Sequence, residues 1–287
     1  MPELPEVETI RTDLESCLLN KKIVRAEVFK GKIVRGSTAV FKRLLTGGSF
    51  RKIERRGKLL IFDIAGTDIF LLVHLKMTGQ LVYKKGKRLT SGGHSWPLMD
   101  TKLPNKHTHI VITFADKSKL FFSDLRQFGF MQIVSTRQKD LVVAKYGIEP
   151  LTKGFSREKF RQVFRARRAP LKAVLLNQNL IAGLGNIYAD EICFAAGVRP
   201  GRRVDRLTAA EIDKLYHATP AVIKKAIKYR GTTFSDYVDG SGSAGNFVGQ
   251  LKVYGRTGKI CLRCKQGVIK KIKKVGRGTH YCPVCQK

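Results

Sequence analysis

Two pairs of cysteines near the C-terminus restrict the fold of this chain more than any other feature of its sequence. Two residues lie between Cys261 and Cys264 and two between Cys282 and Cys285, and seventeen residues separate the pairs. This spacing is typical of a zinc ribbon, in which each pair supplies two thiolates to one tetrahedral ion. A short polar segment cannot bury a core of its own, so four unrelated core cysteines are the weaker interpretation. We therefore predict one structural Zn²⁺ per chain.

The other two cysteines, Cys17 and Cys193, stand alone in the sequence. The pattern therefore favours metal binding in a reducing compartment over a disulfide framework. An apolar run long enough to span a bilayer is absent from the sequence, and residues 1–19 do not resemble a secretion signal. We expect a soluble cytoplasmic protein, acting as a monomer and without a membrane partner.

The charge of the chain predicts the class of its partner. The 287 residues include 55 Lys and Arg but only 22 Asp and Glu, which gives a formal net charge of +33. Hydrophobic residues make up 43% of the chain, an ordinary value for a globular protein, so a folded body carries the charge. The balance argues against an acidic small-molecule enzyme and favours a polyanionic partner.

Hydrophobic periodicity divides the chain into a β-rich and a helical part. Val7, Ile10 and Leu14 recur at helical spacing, and Pro2 and Pro5 fall in the expected first turn. From residue 23 to about 134, short β-branched and aromatic runs predict a β-sandwich or a β-barrel with one helix at 39–45. Beyond residue 136, apolar residues again recur at the spacing of an α-helix. The predicted fold is α+β and multidomain, with domains at 1–135, 136–250 and 251–287.

Two glycine-rich segments lie in the predicted helical part. Residues 182–186 (AGLGN) stand between two predicted helices, where free N–H groups at a helix N-terminus suit a phosphate. A dinucleotide site is the alternative, but the preceding strand and third glycine of that motif are missing. Residues 239–245 (DGSGSAG) predict a loop. The segment 84–106, which contains Trp96, is expected to be a solvated loop.

The N-terminus offers a nucleophile that the rest of the sequence does not. The sequence lacks the motifs of a catalytic metal site and of a serine hydrolase, and it lacks the Walker motif that binds nucleotide phosphates. Removal of Met1 would leave the secondary amine of Pro2 beside Glu3. Such an amine can attack the anomeric carbon of a sugar and form an iminium. The alternative is that Pro2 and Glu3 only begin a helix.

Several motifs, in order along the chain, carry a resemblance to a known family. They are residues 1–9 (MPELPEVET), 56–58 (RGK), 74–79 (HLKMTG), 124–129 (DLRQFG), 182–191 (AGLGNIYADE), 253–256 (VYGR) and 276–286 (GRGTHYCPVCQ). The chain resembles the formamidopyrimidine-DNA glycosylase and endonuclease VIII family over essentially its whole length, and most closely its purine-specific bacterial branch.

The resemblance implies a fold and an activity. It implies an N-terminal β-sandwich flanked by helices and a C-terminal helix-two-turn-helix domain with a zinc-ribbon finger. The implied activity is that of a bifunctional DNA glycosylase and abasic-site lyase, which removes oxidised purines such as 8-oxoguanine opposite cytosine from duplex DNA. A Schiff base on the N-terminal proline and β,δ-elimination would carry the reaction. Damaged double-stranded DNA would be the partner, and zinc the one cofactor.

The resemblance also implies roles for individual residues. Pro2 resembles the nucleophile, Glu3 the acid/base group and Glu6 a supporting carboxylate, while Lys58 resembles the phosphate-binding catalytic lysine. The residues expected to contact DNA share the family's motifs or lie beside them: His74, Met77, His107, Arg126, Phe128, Asn186 and Arg277. Among these, Met77, Arg126 and Phe128 would fill the gap left by an extruded nucleotide, with Arg126 reading the orphaned cytosine.

Some positions depart from the family pattern and leave rival functions open. Leu125 and Gln127 replace residues that are often proline and a basic residue, which puts opposite-base discrimination in question. An endonuclease VIII-like enzyme for oxidised pyrimidines is the nearest alternative, although Leu4 and the motif around Arg126 favour the purine enzyme. A zinc-ribbon protein that binds nucleic acid by charge alone is the rival from another class.

Overall fold

A computed structural model describes residues 1–94, 103–232, 237–238 and 246–287 of the chain. These residues form two units: Met1–Ala144 with Tyr229–Asn246, and Lys145–Lys228 with Phe247–Lys287. Trp96 and the glycine and serine segment 239–245 lie outside the described residues. The three-part division predicted from the sequence is not tested by this grouping and stays a prediction.

The first unit begins with the predicted amphipathic helix, α1 (Leu4–Leu18). Glu3 is its N-cap residue, and Pro5 falls in the first turn, where its missing N–H leaves no hydrogen bond broken. Pro2 precedes the cap, so the expectation that both prolines lie in the first turn is wrong for Pro2. Two further helices belong to this unit, α2 (Thr38–Leu45) and α3 (Thr136–Val143).

In the described part of the chain, ten antiparallel strands form the predicted sandwich in two sheets. One sheet has the strand order β1-β7-β8-β5-β6-β10 and the other β2-β3-β4-β9. The strands are β1 (Ile23–Val28), β2 (Phe50–Arg56), β3 (Leu59–Ile64), β4 (Ile69–His74), β5 (Gly79–Lys85), β6 (Arg88–His94), β7 (Thr108–Phe114), β8 (Lys119–Asp124), β9 (Phe130–Ser135) and β10 (Tyr237–Val238). The solvated loop expected at 84–106 is therefore wrong for its first part, because that part forms the β5–β6 hairpin.

The core of the first unit lies between the two sheets and extends to α1 and α2. Alternation along each strand sends every second side chain inward. The ring of Phe50, on β2, lies 5.1 Å from that of Phe62 and 6.4 Å from that of Phe114 on the opposite sheet. The outer face of the six-stranded sheet is also buried, around Val82, Val111 and Phe121. Burial on both faces makes this sheet a rigid support for the loops at its ends.

The second unit is helical and ends in a strand pair. Its helices are α4 (Arg157–Phe164), α5 (Leu171–Leu176), α6 (Asn186–Ala196) and α7 (Ala209–Lys228). The glycine turn 182–185 joins α5 to α6, as predicted. The hairpin of β11 (Lys270–Lys274) and β12 (Arg277–Tyr281) lies between the two cysteine pairs. Among the described residues, no helix combines the length and the apolar character needed to cross a membrane.

Candidate active site and nucleic-acid interface

The N-terminal residues are held in place by a buried carboxylate one turn into α1. The backbone N–H of Glu3 donates to Glu6 Oε2 at 2.8 Å, and the N–H of Thr232 donates to Glu6 Oε1 at 2.8 Å. Pro2, Glu3 and Glu6 are all buried. Gly231 passes so close that a Cβ there would lie 2.8 Å from Glu6 Oε1. The start of the chain is therefore fixed against a second segment of the same unit.

A group of cations lies near the end of β4. Lys58 is 5% exposed and follows the turn at Gly57, whose φ of 58° is in the left-handed region. Burial, together with the nearby charges of Lys76, Lys58 and Arg35, lowers the pKa of His74 to about 3. Burial and Arg35 also lower the pKa of Lys76. Because cations are concentrated here, this part of the unit is suited to a phosphate group.

The hydrogen bonds of His74 determine which ring nitrogen can contact a ligand. The backbone N–H of Lys76 donates to His74 Nδ1 at 3.0 Å. Since the ring is neutral at physiological pH, its proton must be on Nε2. His74 therefore offers one neutral N–H donor beside charged Lys58. Arg35 belongs to the same group of cations around His74, and its guanidinium lies 3.4 Å from the ring centre of Phe130. Arg35 was not identified from the sequence, because it lies in none of the recognised motifs.

Asp124 joins the two loops that carry the predicted insertion residues. Its Oδ2 accepts the backbone N–H of Gly129 at 2.7 Å, and its Oδ1 accepts the N–H of Arg126 at 3.2 Å and the hydroxyl of Thr78. The N–H of Arg126 also donates to Thr78 Oγ1 at 2.9 Å. Asp124 is 1% exposed. Thr78 follows Met77 directly, so one buried carboxylate positions the loops of Met77, Arg126 and Phe128.

The side chains of these loops differ in exposure. Phe128 is 53% exposed, and the guanidinium carbon of Arg126 lies 4.7 Å from the centre of its ring. Met77 is half-buried. Gln127 has a φ of 56°, which turns the chain sharply between Arg126 and Phe128. An exposed aromatic ring carrying a stacked guanidinium is suited to contact with bases or phosphates.

His107 lies directly before β7. Its carbonyl accepts the backbone N–H of Asp124 at 3.0 Å, and its own N–H donates to Asn105 Oδ1 at 2.9 Å. Burial and the neighbouring Lys106 lower the pKa of its ring. The structure therefore places His107 at the backbone of the Asp124 loop.

In the second unit, the glycine turn presents the N-terminus of α6. Gly185 caps the helix, and Asn186 is its first residue. Gln178 supports the turn, because its amide accepts the N–H of Gly183 at 2.9 Å and donates to the carbonyl of Leu184 at 2.8 Å. Asn186 Nδ2 donates to the hydroxyl of Tyr254 at 3.2 Å. The first turn of α6 can therefore offer N–H groups to a phosphate.

Helix α6 also holds the strand that begins at Arg277. Asp190 Oδ2 accepts the backbone N–H of His280 at 2.8 Å. Its Oδ1 lies 2.7 Å from Lys172 Nζ in an ion pair with both side chains fully buried. The same ammonium donates to the carbonyl of Gly278 at 2.9 Å. Because Asn186 and Asp190 share α6, the structure connects the glycine turn firmly to the hairpin of Arg277.

The four cysteines predicted to bind metal form one cluster. All four Sγ atoms lie within 4.8 Å of one another, with Cys261 to Cys285 at 3.7 Å and Cys264 to Cys282 at 3.8 Å. A tetrahedral zinc thiolate centre, with Zn–S near 2.3 Å, places its sulfurs roughly 3.8 Å apart. The donor set therefore fits zinc.

Comparisons with known proteins agree with this geometry. A β-sandwich with a fixed N-terminus, followed by a helical unit that ends in a four-cysteine hairpin, agrees with the two family models that match the chain. The model of the formamidopyrimidine-DNA glycosylase N-terminal domain matches residues 1–131, and that of the formamidopyrimidine-DNA glycosylase H2TH domain matches residues 146–238. The chain belongs to the formamidopyrimidine-DNA glycosylase family.

Individual relatives match over their full length. Formamidopyrimidine-DNA glycosylase of Pelotomaculum thermopropionicum is 41% identical over 290 residues, covering 100% of this chain and 99% of the relative. That of Listeria monocytogenes is 39% identical, covering 100% of each. The fold is similar to Lactococcus lactis Fpg (MutM) in complex with a DNA containing N7-benzyl-Fapy-dG, with a TM-score of 0.87, 37% identity and 100% of both chains covered. The chain is a DNA glycosylase of a DNA-repair family.

Replacement of the Asp124 carboxylate tests its role in positioning the loops. We expect Asp124→Asn to lower the free energy of unfolding by about 1–3 kcal/mol, because the amide leaves at least one buried donor unmatched. Lesion excision should slow as well, since the loops of Met77 and Phe128 lose their common support. Denaturant unfolding and single-turnover excision measure the two effects. Asp140→Asn, at an exposed position on α3, is the control. Wild-type values for Asp124→Asn in both assays would contradict the role.

The lowered pKa of His74 predicts a pH dependence of stability. The unfolded chain takes up a proton on this ring near pH 6.5, whereas the folded chain does so only near pH 3. The unfolded state therefore binds more protons between these values, and the free energy of unfolding should fall as the pH is lowered from 6.5 toward 4. His74→Gln should lose less stability over this interval. Equal losses in the two proteins, measured by urea unfolding, would show that His74 is not held neutral.

Proposed function

We propose that this protein is a bifunctional glycosylase and abasic-site lyase that excises oxidised purines, including 8-oxoguanine opposite cytosine and formamidopyrimidines, from duplex DNA. The observation that carries the proposal is the fixed N-terminus, where Glu6 holds the backbone of Glu3 and thereby the position of Pro2. A bifunctional reaction needs an amine at a defined place beside a carboxylate, and Pro2 with Glu3 provides that pair.

The proposed reaction begins after removal of Met1. The nitrogen of Pro2 attacks C1′ of the damaged nucleotide, and the base leaves with the electron pair of the glycosidic bond and takes up a proton. A helix N-terminus disfavours positive charge, which keeps a larger fraction of the amine neutral and nucleophilic. Glu3 acts as acid and base in sugar ring opening. The iminium then acidifies C2′, and successive loss of the 3′ and 5′ phosphates completes β,δ-elimination.

The other residues of the first unit have positioning roles in this proposal. Lys58 and neutral His74 bind phosphate next to the lesion, and His107 supports DNA binding from the Asp124 loop. Extrusion of a nucleotide costs a few kcal/mol of stacking and leaves a gap. Met77 and Phe128 fill that gap, and Arg126 donates to O2 and N3 of the cytosine left without a partner.

The second unit supplies further phosphate contacts. Asn186 at the N-terminus of α6 and Arg277 on the hairpin bind the backbone around the lesion, and the α6 contacts of Asp190 keep the two in register. Cys261, Cys264, Cys282 and Cys285 would hold one zinc ion, which supplies structural cross-linking of the hairpin. We propose a cytoplasmic monomer that acts on damaged duplex DNA and uses no redox or nucleotide cofactor.

Borohydride trapping tests the proposed nucleophile and substrate together. Protein lacking Met1 should form a covalent adduct with a duplex containing 8-oxoguanine opposite cytosine, and less with adenine opposite. Protein that retains Met1 should form none, because the Pro2 nitrogen is then an amide. Glu3→Gln serves as the matched control, since it should bind the duplex but react roughly 100-fold more slowly.

Three outcomes would contradict the proposal in different ways. An adduct formed at the normal rate with Met1 retained would assign the nucleophile to an internal lysine such as Lys58. Preferential trapping of a duplex with an oxidised pyrimidine would assign the protein to the endonuclease VIII-like activity. A protein that binds both duplexes without forming any adduct would be a non-enzymatic binder.

Removal of the metal tests the role of the cysteine cluster. Cys264→Ser should lower the zinc content and release the hairpin, so affinity for the lesion duplex should fall. The slope of log K against log salt should become shallower by about 0.9 for each phosphate that the protein no longer neutralises. Arg277→Ala, which keeps all four cysteines, is the control and should neutralise one phosphate fewer while retaining zinc. The two measurements are the zinc content of each variant and its affinity for the lesion duplex at several salt concentrations. Full affinity for Cys264→Ser would refute this role.

A further inference from the structure

The second unit contains a cavity that the proposed reaction does not use. It has a volume of about 230 Å³ and lies among α6, α7 and the segment that carries the first cysteine pair. Its lining is mainly apolar and includes Phe194, Ala195, Val222, Phe247 and Leu262. Leu262 is 40% exposed at its mouth. We name this feature the α6–α7 cavity.

The size of the α6–α7 cavity limits what it can hold. Sites for drug-sized ligands begin near 300 Å³, so this cavity lies just below the usual size of such a site. It is large enough for one bulky apolar side chain. Protein interfaces commonly obtain much of their affinity from one such side chain inserted into a pocket on the partner. The volume and the apolar lining therefore favour a protein segment.

Cations surround the mouth of the cavity. Lys225, Lys252 and Arg263 contribute to its lining. The guanidinium carbon of Arg263 lies 4.0 Å from the ring centre of Phe194, so the group is stacked in a fixed orientation. A stacked guanidinium is well placed to bind a carboxylate through two hydrogen bonds. The rim thus complements an acidic segment around an apolar anchor.

The carboxylate of Glu191, which also lines the cavity, does not cancel this rim. Its two oxygens accept backbone N–H groups of Lys252, Val253 and Tyr254 at 2.9 to 3.1 Å. Burial raises the pKa of this carboxyl group. These hydrogen bonds direct both oxygens toward the backbone of residues 252–254.

Two other occupants fit the cavity less well. The phosphate-binding end of α6 is at Asn186, and Phe194 lies eight residues further on, about 12 Å along the helix axis. The cavity therefore adjoins the C-terminal end of α6, which exposes carbonyl groups and no free backbone N–H donors, and its apolar floor has no donor for a phosphate. A second copy of the chain would bring another net charge of +33, which opposes association.

We infer that the α6–α7 cavity is a docking site for an acidic segment of another protein, which inserts one bulky apolar side chain and pairs its carboxylates with Lys225, Lys252 and Arg263. This interaction is separate from the proposed excision chemistry. It would allow the glycosylase to be recruited by a protein partner while its phosphate-binding residues remain available.

The probe is a nine-residue peptide with one phenylalanine flanked by aspartates, labelled for fluorescence anisotropy. One comparison peptide has serine in place of phenylalanine, and another has lysines in place of the aspartates. The acidic phenylalanine peptide should bind the full chain at least about tenfold more tightly than the serine peptide, since the ring becomes buried. The lysine peptide should not bind.

Matched variants locate the site. Ala195→Leu fills the cavity and should weaken peptide binding about tenfold, whereas Ala221→Leu, exposed on α7 outside the cavity, should not. Lys225→Glu should weaken it about fivefold, and Lys224→Glu, which makes the same charge change outside the lining, should have a smaller effect. Excision by Ala195→Leu should stay within twofold of the wild-type rate, which separates this proposal from the catalytic one.

Three results would overturn the inference. Equal binding of the serine and phenylalanine peptides would show that charge alone attracts them. Unchanged binding by Ala195→Leu would place the peptide elsewhere on the chain. Displacement of the peptide by a single-stranded oligonucleotide, with direct binding of that oligonucleotide weakened by Ala195→Leu, would assign the cavity to nucleic acid.

Discussion

Buried carboxylates that accept backbone N–H groups fix the start of the chain, the two loops beside Asp124 and the C-terminal hairpin of this protein. A carboxylate out of water is strongly unfavourable without donors, so each one constrains the backbone that supplies them. Glu6 fixes the start of the chain, Asp124 fixes the two insertion loops, and Asp190 fixes the hairpin beside α6. Glu191 fixes residues 252–254 in the same way. In a chain with only 22 acidic residues, these few have the largest structural effect.

The cationic side chains differ from these carboxylates, because most of them lie near the surface. A net charge of +33 disfavours the compact state through self-repulsion and at the same time attracts a polyanion. Lys172 forms a buried ion pair with Asp190, and Lys58 lies near Lys76 and Arg35 around His74. A concentration of cations of this kind is suited to a phosphate group.

Much of the fold could be predicted from periodicity, and the errors have physical causes. Helix α1 and strands such as β3, with six consecutive buried residues, have unambiguous patterns. Strand β2 (FRKIERR) escaped prediction because only Phe50 and Ile53 are buried, and its remaining side chains tolerate exposure on one face. The hairpin of β6 was mistaken for a loop because Gly92 and Gly93 weaken its strand pattern. Gly92 is required there, since a Cβ would lie 2.4 Å from the side chain of Ile10.

The sequence by itself favoured a polyanionic partner, grouped four cysteines as candidate metal ligands and predicted the succession of β-rich and helical parts, because charge, cysteine spacing and hydrophobic period are local properties of a chain. Motifs also placed Pro2, Lys58 and Arg126 among the candidates. Only the tertiary structure decided that Asp124 supports two loops 46 residues apart, and that Glu6 binds the backbone 226 residues further along the chain. These hydrogen-bond partners depend on which distant segments come together when the core is buried, and a local sequence pattern contains no information about that packing.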